Sequence, residues 1–152
     1  MKKSQIKSFL KKQIKLSCYA EMDSLKPGNV HKYSSGHGMT AKDFYKSANI
    51  IANYLTQNNY HFGKKILKCV EEIKKKVKKN TNLGIILLFA PVISILLKNG
   101  FLDKRNLYKK ISLFIKSQNI KSSLPIFKAI KIAAPGGLGK SNRYDVNYLP
   151  KV

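Results

Sequence analysis

Apolar and polar positions alternate with a helical rhythm along almost the whole chain. Ile6, Leu10, Ile14 and Cys18 recur every four residues with lysines between them, which predicts an amphipathic helix over 4–21. Extending that stripe by a step of three reaches Glu21, so its carboxylate is expected at the end of the buried face and not in bulk water. Phe44, Ser47, Ala48, Ile51, Ala52 and Leu55 form one side of a second helix, with Thr40 as its cap and Asp43 as the acidic partner of a capping box. Ile66, Leu67, Val70, Ile73 and Val77 mark a third helix over 63–79 with a lysine-rich outer face. The most apolar stretch, LGIILLFAPVISILL over 83–97, predicts a helix over 83–98 ended by Gly100. Two more are expected over 103–117 and 123–134, the latter with Ser123 as cap and Pro125 in its first turn. There is no strand alternation, repeat or interdomain linker. The expected architecture is all-α, a single domain over 1–152 in a bundle of about six helices, with polar loops holding the unusual residues.

The net charge of +23 points first to nucleic acid or an anionic membrane. Its make-up weakens both. Of the 30 basic residues 28 are lysine, and isoleucine and asparagine are also abundant at 16 and 12, the excess that an AT-rich coding sequence produces. Readers of bases and phosphates favour the bidentate fork of arginine, and only Arg105 and Arg143 are present. No specific nucleic-acid partner is expected, only non-specific attraction to polyanions and affinity for a multiply phosphorylated substrate. The apolar stretch with its central Pro91 is shorter than the roughly 20 residues a membrane span needs, so a buried core helix is the better reading and no membrane partner is expected. Cys18 and Cys69 fall in apolar helical positions and read as buried thiols in a reducing, cytoplasmic compartment.

Three loop motifs stand out from the lysine-rich background. In the first, Glu21 and Asp23 precede KPGNVH, where Pro27 and Gly28 should close a tight turn from Lys26 to Asn29 that leads to His31. Such groups bind anions, hold metals or move protons, and a solvated loop contains the same residue types. The second is NTNLG, where Asn80, Thr81 and Asn82 precede the most apolar helix; it suits an anionic group at a helix N-terminus, or simply caps a buried helix. The third is PGGLG, with Gly136, Gly137 and Gly139 followed by Lys140, Arg143 and Asp145; it lets backbone approach a phosphate, or merely ends a helix. The histidines lack metal-ligand spacing, no serine sits in a nucleophile elbow, and neither cysteine is exposed beside a histidine.

Taken in order, these motifs resemble the triphosphoribosyl-dephospho-coenzyme A synthases, which make the prosthetic-group precursor of citrate lyase and malonate decarboxylase carrier proteins. The matching residues are Glu21 with KPGNVH (26–31), DFYKSA (43–48), NTNLGIILLFAP (80–91) and AAPGGLG with DV (133–139, 145–146). The resemblance implies an all-α transferase with ATP and 3′-dephospho-CoA as substrates. The ribose 2′-hydroxyl of dephospho-CoA would displace adenine from ATP. It further implies Glu21 and His31 as catalytic groups, and substrate contacts from Lys26, Pro27, Gly28, Asn29, Asn80, Thr81, Asn82, Gly136, Gly137, Gly139 and Asp145. Mg²⁺ is expected with the triphosphate, with Glu21 as its candidate ligand.

Members of the family are longer and continue past the DV segment with further helices. Three alternatives follow for this chain: a fragment, a split-gene half whose missing C-terminal half is supplied by another chain, or a shortened paralogue. The competing functional reading is a non-catalytic basic helical protein that binds nucleotides or RNA.

Overall fold

The computed structural model describes residues 2–137, 139–141 and 145–148. The apolar stripes become six helices, α1 (Lys3–Asp23), α2 (Ala41–Leu55), α3 (Phe62–Val77), α4 (Leu83–Asn99), α5 (Lys104–Lys116) and α6 (Ile120–Ala133), and no strand forms among the described residues. The stripe Ile6, Leu10, Ile14, Cys18 is buried as its spacing requires, and its next step is Met22, which is fully enclosed. Met22 and not Glu21 therefore ends the buried face, and Glu21 lies at its border, its side chain 37% exposed with one oxygen enclosed. Ile14, Ile51, Leu55, Ile66 and Ile86 interlock at 1% exposure or less, and burying each contributes on the order of 2 kcal/mol.

Helix ends depart from the expected positions where local signals compete. The expected start of α6 at Ser123 is one turn late. Asn119 is the cap, accepting the Ser122 amide at 3.0 Å, while Ser122 Oγ accepts from the Asn119 amide in return. That reciprocal pair outweighs the single hydroxyl of Ser123, and Pro125 lies inside the helix rather than in its first turn. The third helix ends at Val77, not at 79, because Lys78 turns left-handed at φ 63°. Thr40 and Asp43 form the expected capping box, with Asp43 Oδ2 accepting the Thr40 amide at 2.9 Å.

Helix direction decides what meets what. α3 and α6 run parallel: Gly63 lies against Ser122 at their starts, and Val70 and Ile73 line a crevice with Ala133 at their ends. α1 and α4 run antiparallel, since Ile6 of α1 touches Gly100 just beyond α4. α2 runs antiparallel to α3, with Lys46 Nζ donating to the Lys76 carbonyl at 2.9 Å. One pole therefore gathers the C-terminal ends of α1, α3 and α6 with the N-terminal ends of α2 and α4. All three loop motifs emerge there. α5 packs on α4 and has no buried residue.

Candidate functional site

The loop after α1 is shaped by its own sequence. The Asn29 amide donates to the Lys26 carbonyl at 3.0 Å around Pro27 and Gly28, whose φ of 76° is what a type II turn demands at that position. Asn29 Oδ1 accepts the Val30 amide, Val30 plugs into the interior at 1% exposure, and the Lys32 amide donates to the Met22 carbonyl at 2.9 Å. The loop is thereby tied back onto the last turn of α1. Two tight turns follow, His31 to Ser34 and Gly36 to Met39, each closed by paired backbone hydrogen bonds. His37 and Gly38 at the tip of the second both have positive φ.

Glu21 stands at the border between this loop and the core. Lys26 Nζ donates to its Oε1 at 2.5 Å, whereas Oε2 is buried and has no hydrogen-bond partner. Its charge reaches inward: the Cys18 thiol is pushed up to about 11, chiefly by burial and then by Glu21. Cys69 is raised further by burial, with Cys18 as the lesser cause, so both thiols stay protonated and inert at neutral pH. Nearby, Tyr45 of α2 donates to Asp23, which raises its phenol pKa to about 12. His31 Nδ1 accepts the Tyr33 amide at 3.3 Å, so the neutral ring carries its proton on Nε2.

The NTNLG segment behaves differently from a row of caps. Asn82 sits at the N-cap position of α4 with φ 60°, and no side chain caps the helix. Its Nδ2 turns inward instead, donating to Ser47 Oγ at 2.7 Å and to the Phe44 carbonyl at 3.3 Å. Thr81 is 2% exposed and its hydroxyl is buried without a partner. Beside them Lys79 Nζ bonds Asp43 Oδ2 at 2.8 Å, and the Lys79 ammonium, followed by the Thr40 amide, holds the Asp43 carboxyl below its usual range.

These loops enclose a cleft of about 570 Å³ lined by His37, Met39, Lys79, Asn80, Ala134 and Gly136. It joins the Gly- and Ser-rich loop, the NTNLG segment and the start of PGGLG. Ala134 ends α6 at φ 45°, and Gly137 and Gly139 also have positive φ. Asp145 folds the rest of this loop, accepting the Ser141 amide at 3.0 Å and the Asn147 amide at 2.8 Å, and those two amides lower its pKa. Arg143 lies outside the described residues. Glu21 and the cleft share the pole through α2, whose first turns bond Asp23 on one side and Lys79 on the other.

Sequence reasoning missed Lys79 and His37, both cleft residues. A histidine between two glycines, GHG, is a turn signal that would have marked His37. Lys79 gives no signal within a run of five lysines over 74–79. Among the described residues no group of three or more His, Cys, Asp or Glu side chains could hold a metal ion. Glu21 Oε2 is a single free oxygen, which fits Mg²⁺ arriving on a triphosphate but not a site built by protein alone. No single helix among the described residues is long and apolar enough to cross a membrane.

A family model described as ATP:dephospho-CoA triphosphoribosyl transferase matches residues 7–151. No curated protein and no solved structure matches the chain at a significant level.

Proposed function

The chain belongs to the ATP:dephospho-CoA triphosphoribosyl transferase family, a family of transferase enzymes, and on that premise we propose the reaction and the residues that perform it. The C1–N9 bond of ATP breaks, a bond forms from the same ribose carbon to the 2′-oxygen of 3′-dephospho-CoA, and adenine leaves. The products are adenine and 2′-(5″-triphosphoribosyl)-3′-dephospho-CoA, the latter a prosthetic-group precursor for a carrier protein. Buried thiols and these substrates suit a reducing, cytoplasmic setting.

The observation that carries the reading is the Glu21 carboxylate. One oxygen is held by Lys26 while the other is buried with no partner, an arrangement that costs desolvation energy unless a ligand completes it. In the proposed mechanism Oε2 accepts the proton of the attacking 2′-hydroxyl, and the carboxylate's charge stabilises the oxocarbenium-like ribose. His31, with its proton on Nε2, donates toward the leaving adenine or a phosphate oxygen. Lys26, Pro27, Gly28 and Asn29 present ammonium and backbone groups to phosphate. Lys79, Asn80 and Gly136 face the triphosphate in the cleft, with Gly137 and Gly139 beside it, and Mg²⁺ enters as part of that substrate. Thr81, Asn82 and Asp145 act mainly by shaping these loops. Leu88 is 71% exposed in the most apolar helix, and α5 has no buried residue, a surface on which helices from another chain would pack.

Chromatographic detection of adenine tests the reaction. Incubation with ATP and dephospho-CoA should release adenine and form triphosphoribosyl-dephospho-CoA in equal amounts, and omission of dephospho-CoA should stop both. A folded chain that binds both nucleotides yet releases no adenine, alone or in extract supplying its partners, would overturn the proposal.

A further inference from the structure

The pole opposite Glu21 contains a group that the transfer chemistry does not use. Lys65, in the first turn of α3, is only 7% exposed, and its ammonium has no hydrogen-bond or ion-pair partner among the described residues. Its stem is enclosed while the ammonium still meets solvent at the rim, unpaired and open to an anion. Burial first, and the charge of Lys7 second, hold its pKa below the usual lysine range.

Lys65 borders a cavity of about 420 Å³ together with Lys3, Lys98 and Asn58. No carboxylate is among the described lining residues. Phe62 and Phe114 line it too, packed edge to face with ring centroids 4.9 Å apart. Two helix N-termini lie here, since Lys3 begins α1 and Phe62 begins α3, and no side chain caps α3. Their free amides and partial positive charge add to the three ammonium groups.

We propose that this cavity is a second anion site that takes a small organic phosphate. The phosphate group sits among Lys3, Lys65 and Lys98, and the organic part lies against the Phe62–Phe114 pair. A phosphate monoester brings close to two charges and three acceptor oxygens to three ammonium groups, where a carboxylate brings one charge. The site is independent of the transfer reading, because none of its residues belongs to the Glu21 pole. The competing possibility is a snorkelling lysine whose ammonium is served by water alone.

Phenyl phosphate is the probe, with sodium chloride at matched ionic strength as the control. The parent should show a saturable rise in melting temperature with phenyl phosphate beyond that with chloride. Lys65→Met should melt no lower than the parent without ligand, since a partly desolvated charge facing Lys7 is gone, and its apparent Kd should be at least about tenfold weaker, the loss of one charge-assisted contact. Lys74→Met removes the same charge from the exposed face of α3 and should respond like the parent. An equal saturable response in Lys65→Met, or none in the parent, overturns the proposal. Ligand-observed NMR on the parent gives a second reading: irradiating the protein's methyl region, which includes Leu97 of the cavity and lies far from the phenyl protons, should transfer saturation to the phenyl ring, and no transfer at saturating ligand is equally fatal.

Discussion

The two poles of the bundle are built on opposite principles. At the pole of α1's end, the backbone is strained and polar atoms are left unmatched. Every non-glycine residue with positive φ among the described residues, His37, Lys78, Asn82 and Ala134, lies there, and so do the partnerless Glu21 Oε2 and Thr81 hydroxyl. Each left-handed residue costs on the order of 1 kcal/mol. At the other pole the sharp turn after α4 uses Gly100, and the connections are sealed by the aromatic pairs Phe9–Phe101 and Phe62–Phe114. A chain of uniform composition has thus concentrated its strain at one end. That concentration is the pattern expected when a ligand, and not the fold alone, selects the local conformation.

The largest expected effect tests whether the strained pole is functional. Glu21→Gln keeps the side chain's shape and removes its charge, so the melting temperature should hold or rise. Adenine release from ATP with dephospho-CoA should fall by about 10²-fold or more, the scale of losing an acid–base group. Full transfer activity in the variant would make Glu21 structural and erase the functional side of the contrast.

The complementary break is at the opposite pole. A Cβ placed on Gly63 would run into the carbonyl oxygen of Ser122, backbone that can yield only if α3 and α6 separate. Gly63→Ala should therefore cost about 2–3 kcal/mol despite alanine's better helix propensity, read as a drop of several degrees in melting temperature. Activity per folded molecule should be unchanged.

A finer probe separates strain from hydrogen bonding at the first pole. Asn82 is left-handed and also bonds Ser47 and Phe44 across 35 or more residues. Asn82→Ala loses the bonds and retains the strain, whereas Asn82→Gly loses the bonds but relieves it. Urea unfolding should place the alanine variant about 1 kcal/mol below the glycine variant.

These contrasts also explain what the sequence could disclose. The middles of the helices were legible because stripes such as Ile6 to Cys18 repeat at the helical period and nothing competes with them. The pole was legible in part, since KPGNVH, NTNLG and PGGLG carry turn and cap residues whatever their partners. What escaped was set at a distance. Nothing local says that Asn82 bonds α2 instead of capping α4, that Lys78 goes left-handed where Lys79 meets Asp43, or that one lysine of a run lines a cleft. Likewise Ser123 lost the cap of α6 to Asn119 because the better box lay one turn upstream, masked by the attraction of Pro125 for a helix start.

The smallest expected effect compares one aspartate from each pole. Asp43 and Asp103 both sit at helix starts and both have lowered pKa values, but for different reasons. Asp103 is held down chiefly by the Asn106 amide, three residues away, while Asp43 is held down chiefly by Lys79. A carboxyl with a depressed folded pKa stabilises the fold above its unfolded value, near pH 4, and loses that contribution as the pH falls through the folded value below it. Asp43→Asn should therefore cost about 0.5 kcal/mol at pH 7, discounted for a partly exposed pair, and the difference from the parent should shrink toward zero as the pH falls below the folded value. A double-mutant cycle then separates the poles. Asp43→Asn and Lys79→Gln should be non-additive, because each removes the same bond, whereas Asp103→Asn and Lys79→Gln should add. Additivity in both cycles would mean that the Asp43–Lys79 bond contributes nothing measurable. The placement of Lys79 in the cleft would then rest on the left-handed turn at Lys78 alone.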